Sequence, residues 1–186
     1  MQRAKAIFIE HTTIRDVVLV IGASFIISLL SKVAIPLWFT PIPLVLQNSA
    51  LLVTSVLLGA RRGALAVFLV LVQAAAGLPV LSGGVGLAAF WGPTGGYRIG
   101  YLIAAYVVGA LSERKRTLAT AFLAMMAGSG IILLCGVSYL ATFIGFKQAV
   151  MLGAVPFLLG DLLKVLAGLN VLQWLRWTRV KYRGAV

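Results

Sequence analysis

Acidic residues are scarce in this chain: Glu10, Asp16, Glu113 and Asp161 are the only four carboxylates among 186 residues. Four scattered acids supply neither the paired carboxylates of hydrolysis nor the oxygen cluster of a divalent-metal site. Cys135 is the sole cysteine, which rules out an intrachain disulfide. It sits in an apolar run and reads as packing. The sole histidine, His11, lies in the polar N-terminal segment without partners for a metal or a catalytic group. Neither a G-x-x-x-x-G-K-[ST] phosphate loop nor an H-E-x-x-H pair occurs. These gaps argue against an enzyme, a metal and a cofactor. A long hydrophilic stretch is missing as well, so a single domain over residues 1–186 is expected.

What the chain has is apolar surface. Hydrophobic residues make up 61% of it, and its mean hydropathy is +1.06. Soluble domains hold about 45–50% apolar residues, so a water-soluble fold has nowhere to put the excess. Six apolar runs stand out, at Val17–Ser31, Pro43–Gly59, Gly63–Gly77, Gly96–Leu111, Leu118–Phe143 and Pro156–Leu175. They predict an all-α integral membrane protein of six transmembrane helices. Several runs fall short of the roughly 20 residues of a perpendicular span, so shorter helices must be lodged among neighbours. Met1–Arg15 lacks the apolar core and cleavage site of a signal peptide, so the first run is expected to stay as a helix.

The net charge of +12 invites a nucleic-acid reading, but a nucleic-acid binder needs no oily remainder. Here the basic residues punctuate the apolar runs. Arg3, Lys5 and Arg15, the Arg61–Arg62 pair, Arg114–Arg116, and a tail of Arg176, Arg179, Lys181 and Arg183 account for twelve of sixteen. With six spans all of these fall on one face, which the positive-inside rule places in the cytoplasm together with both termini.

Two connections on the opposite face are unusual. Lys32–Pro43 reads KVAIPLWFTPIP, and Leu78–Tyr97 reads LPVLSGGVGLAAFWGPTGGY. Non-helical backbone at membrane depth survives only when buried in protein or lining a cavity, so these segments read as pocket walls. The alternative is a pair of tight interfacial turns.

Asp161 and Lys164 carry the strongest chemical signal. Ionisable groups inside a membrane cost several kcal/mol each, roughly, unless they pair or face a cavity. At i and i+3 they share a helical face, continued by Phe157 and Gly168. Either they form an ion pair that fixes packing, or they clamp a polar ligand. Pro156 marks the start of their helix, or else a kink in one beginning near Gln148. Arg98 adds a cation to the same cavity or snorkels to the interface. Gln47 binds ligand or joins helices. Trp38 and Trp91 stack on a ring or belong to the interfacial aromatic belt, as Trp174 and Trp177 do. Gly96, Gly100 and Ala104 form a small-residue face for close helix contact.

Three stretches together resemble the BioY family, the biotin-specific S components of energy-coupling factor (ECF) vitamin transporters. They are P-I-P-L-V-L-Q at Pro41–Gln47, G-P-T-G-G-Y at Gly92–Tyr97, and P-F-L-L-G-D-L-L-K at Pro156–Lys164. The resemblance covers nearly the whole chain. It implies an S-component bundle in a bacterial cell membrane that binds biotin from outside with high affinity. It also implies a coupling protein and two cytoplasmic ATPases that drive release inside, so ATP hydrolysis belongs to the partners. Asp161 and Lys164 are implied to face biotin, with the segment before Gly92–Tyr97 and the Tyr97 region forming part of the site. Two departures stand out. Ser24 and Ser28 replace the clean A-x-x-x-A used for docking the coupling protein. Leu78–Trp91 is short and lacks a larger polar side chain.

Biotin fits these residues chemically. Its ureido N–H groups suit Asp161 and its ureido carbonyl suits Lys164. Its valerate carboxylate suits Arg98, with Lys32 in reserve, and its apolar ring suits Trp38, Trp91 and Phe157. An S component for another vitamin, or a membrane protein with a purely structural Asp161–Lys164 pair, remains the alternative.

Overall fold

A computed structural model describes the backbone of residues 2–35, 38, 44–82, 84–115 and 117–183, and the side chains of these except 2–13, 44, 159 and 176–183. Helices dominate: α1 (Gln2–Leu30), α2 (Gln47–Leu58), α3 (Ala60–Ala75), α4 (Ala88–Trp91), α5 (Gly95–Arg114), α6 (Leu118–Ile144), α7 (Phe146–Gly153) and α8 (Val155–Arg183). The six expected apolar runs fall on α1, α2, α3, α5, α6 and α8. Among the described residues, Leu118–Ile144 and Phe146–Leu175 are long and apolar enough to cross a bilayer on length and composition alone.

Three boundaries differ from expectation. α1 begins at Gln2 rather than Val17. Hydropathy marks the oily part of a helix, and a helix runs on past it wherever water or headgroups solvate its flanks. At 29 residues it is about 44 Å long, longer than the roughly 30 Å hydrocarbon core. α2 starts at Gln47 rather than Pro43, because Leu44 and Val45 (β2) pair antiparallel with Ala34 and Ile35 (β1). Pro41 and Pro43 lie outside the described residues. The connection between α6 and α8 contains a helix, α7, which starts at Phe146, near the Gln148 start of the longer reading of α8, and is set off by Gly145 at φ 80°.

Local chemistry explains the joints. α2 and α3 are separated by Gly59 alone, at φ 84°, a conformation glycine adopts without steric cost. The freed Ala60 N–H donates to Glu113 Oε1 at 3.1 Å, so a carboxylate from α5 caps the start of α3. Thr117 caps α6 by accepting from Thr120 N at 3.1 Å. Pro156 lies in the first turn of α8, where its missing N–H costs no helix bond. Only Ala154, itself in the α region at φ −119° and ψ −55°, stands between α7 and α8. Phe146–Leu175 counts as one 30-residue span, which is close to the reading of a longer helix from near Gln148 that kinks at Pro156.

α5 is the centre of the bundle and packs on α2, α3 and α6. Its approach to α6 depends on glycine. A Cβ on Gly96 would lie 2.3 Å from Tyr139 Cβ and 2.5 Å from the Cys135 carbonyl oxygen. The small-residue face seen in the sequence is therefore a helix contact. Leu51, Val108, Met125, Ile132 and Leu140 fill the interior. Phe25, Leu65, Leu123, Leu134 and Leu163 are exposed on the outside. Helices apolar on both faces belong in lipid.

Candidate ligand-binding site

Asp161 and Lys164 lie on one face of α8 and are 6% and 9% exposed. Lys164 Nζ donates to Asp161 Oδ1 at 3.1 Å. From α6, Ser129 Oγ donates to Asp161 Oδ2 at 2.6 Å. Each carboxylate oxygen thus has a donor, which a buried charge requires.

Arg98 sits in the first turn of α5, 2% exposed. Its guanidinium lies 5.6 Å from the ring centroid of Phe90 in α4, a cation–π contact that steadies it. Tyr97 donates its hydroxyl to the Gly153 carbonyl at 2.8 Å, tying α5 to the end of α7. Its ring lies against Gly136, where a Cβ would come within 2.2 Å of it. Phe157 is buried one turn before Asp161 on α8.

These groups meet in one cavity. Gln47, Tyr97, Arg98, Phe157, Asp161 and Lys164 line it, so six of the eight residues singled out in the sequence converge. Leu81, Ser82 and Thr94 bring in the second unusual connection. β1, in the first connection, pairs with β2, whose Val45 lines the cavity and which leads directly into Gln47. A bond from Gly86 N to the Ala74 carbonyl, 3.0 Å, holds the second connection against the end of α3. The charged groups are two cations and one anion, a formal sum of +1. The cavity is tight, about 30 Å³, room for roughly two or three waters.

Trp38 and Trp91 do not line it. They are 96% and 76% exposed, Trp38 between β1 and β2 and Trp91 at the end of α4. Both tryptophans face outward, where an amphipathic ring suits the membrane interface. Lys32, the reserve cation, is exposed and donates to the Pro79 carbonyl instead. Sequence reasoning missed Tyr101, Asn48 and Ser129. Tyr101 was within reach: it lies one turn beyond Tyr97 and Arg98, so helical spacing puts it on their face. Asn48, beside Gln47, also lines the cavity. Ser129 carried no signal, being one small polar residue in an apolar helix.

Comparison with known proteins finds relatives along most of the chain. The BioY family profile matches residues 2–180. A biotin transporter BioY from Rhizobium etli is 40% identical over 163 residues, covering 81% of this chain and 87% of the relative. One from Thermotoga maritima is 38% identical over 144 residues, covering 76% and 84%. The crystal structure of an S-component for biotin from an ECF-type ABC transporter superposes with a TM-score of 0.81 at 26% identity, covering 89% of this chain and 93% of the other. On sequence and fold together, the chain belongs to the BioY family.

Proposed function

We propose that this chain is the biotin-binding membrane subunit of an ECF transporter and that it captures biotin in the cavity between α5 and α8. The family, the names of the relatives and the S-component fold support this reading. The observation that carries it is the convergence of Asp161, Lys164 and Arg98 on one buried cavity.

The chemistry matches group by group. Asp161 accepts from the ureido N–H groups, and Lys164 donates to the ureido carbonyl. Arg98 takes the valerate carboxylate, for which a planar guanidinium offers two parallel bonds. The site's formal +1 balances the ligand's single negative charge, so no net charge is left in a low-dielectric interior. Tyr97, Tyr101, Leu133 and Phe157 surround the apolar ring, and Gln47 offers one more donor and acceptor. Sites for molecules of this kind run to about 300–1,000 Å³, so the walls must part to admit biotin. The two outer connections are the segments to move, since the second lines the cavity and the first is paired to Val45 on its wall, and neither belongs to the packed helices.

In this reading residues 1–186 form a single domain with six crossings of a bacterial cell membrane, both termini in the cytoplasm, and lipid around the bundle. The subunit binds and releases biotin and catalyses no reaction. A coupling protein and two cytoplasmic ATPases supply the energy. Titration calorimetry of biotin into detergent-purified protein tests the core claim. Saturable one-to-one binding that riboflavin and thiamin do not displace is expected. Absence of binding, or displacement by either competitor, overturns it.

A further inference from the structure

A second cavity, about 980 Å³, opens at the other end of α5. The biotin pocket is built around Arg98, and this one reaches Glu113. Arg98 and Glu113 lie fifteen residues apart on α5, roughly 22 Å along the axis, while the two linings approach each other at Tyr101 and Tyr106. Its walls are apolar, from Val17 and Ile21 of α1 and Leu65 and Phe68 of α3. Its rim is charged, from Asp16, Arg61, Arg62 and Glu113. Three of the four rim side chains are positioned by this fold alone. Arg62 Nη2 pairs with Asp16 Oδ1 at 2.9 Å, and Glu113 Oε1 holds the Ala60 N–H. Both bonds fix the α2–α3 turn at the mouth.

We propose that this groove holds one zwitterionic aminophospholipid, its phosphate on Arg61 and Arg62, its ammonium on Asp16 and Glu113, and an acyl chain along Leu65 and Phe68. Apart from Tyr106, the side chains of the walls are apolar and suit a chain of methylenes. The rim discriminates among headgroups. Two cations and two anions sum to zero, which matches a headgroup of one phosphate and one amine. An anionic headgroup lacks a cation for Asp16 and Glu113. A quaternary choline has the charge but no N–H to donate to the carboxylates, and charge-assisted hydrogen bonds are the stronger contacts. Arg61 to Phe68 spans seven residues of α3, about 10 Å, which takes the groove from the rim into the hydrocarbon.

The test is native mass spectrometry of the full chain in detergent, titrated with dioleoyl phosphatidylethanolamine, phosphatidylcholine or phosphatidylglycerol. One bound phosphatidylethanolamine is expected, favoured about threefold or more over the other two, the scale of one partly solvated charge contact. Arg61→Gln removes a phosphate contact while leaving the Arg62–Asp16 pair in place, and should erase the preference. Asp16→Asn should shift it toward phosphatidylglycerol. Ile21→Trp, which fills the groove, should lower retention of all three in protein that still elutes as a single species. Equal retention of the three lipids, or a preference that survives Arg61→Gln and Ile21→Trp, overturns the proposal. So does a set of variants that bind lipid normally but fail to co-purify with the transporter's other subunits, which would make the groove a protein-docking face.

Discussion

Ser129 and Asp161, both buried, are joined by a 2.6 Å hydrogen bond between α6 and α8. With Lys164 on the other carboxylate oxygen, Asp161 is held between a neutral and a charged donor. Such a carboxylate is oriented before ligand arrives, which lowers the cost of ordering it on binding. Asp161→Asn should therefore weaken biotin binding by about 1.5–3 kcal/mol, the worth of a charged hydrogen bond. Ser129→Ala should lower the thermal midpoint of the ligand-free protein, because it leaves a buried carboxylate oxygen without its donor. Calorimetry reads the first effect and a melting curve the second. Normal affinity in a folded Asp161→Asn protein would show the pair to be structural.

The two cations should separate by ligand end. Arg98→Ala is expected to weaken biotin strongly and biotin amide little, since the amide lacks the carboxylate charge. Lys164→Ala should weaken both alike. A cycle between residue and ligand measures the coupling. If the coupling to the carboxylate belongs to Lys164, the ligand lies in the opposite sense.

Gly96→Ala should loosen the bundle at its centre. The new methyl would meet Tyr139 and the Cys135 carbonyl, both within 2.5 Å, and a backbone oxygen does not yield as a flexible side chain does. A loss of about 1–3 kcal/mol is expected, the usual range for overpacking. Unfolding in detergent measures it. An unchanged melting temperature would mean that α5 and α6 pack less closely than described.

Topology is tested by a single cysteine at Lys115, an exposed site in the α5–α6 turn, in a Cys135→Ala background. Impermeant reagents should label it in inverted vesicles and not in intact cells. Labelling from outside would reverse the orientation argued from the basic residues.

Much of the site was legible in the sequence because charge inside an apolar run has few reasons to exist. Asp161, Lys164 and Arg98 stood out in that way, and all three line the cavity. Gln47 and Phe157 followed from motif and helical spacing. Trp38 and Trp91 did not follow, because a belt residue and a stacking residue are the same amino acid in the same kind of connection. Only backbone direction separates the two roles. The β1–β2 pair escaped because two-residue strands are too short to show an alternating pattern. α7 showed only as the start of a longer helix from near Gln148, because its eight residues sit between two longer apolar runs.

The link from the Lys32 ammonium to the Pro79 carbonyl joins the two outer connections to each other. In the proposed reading, biotin held in the cavity leaves only when these segments separate again, whatever the concentration of vitamin outside. Escape is then a unimolecular event timed by the opening of the walls, and a tight complex is a long-lived one. A subunit of that kind loads at trace concentrations and stays loaded.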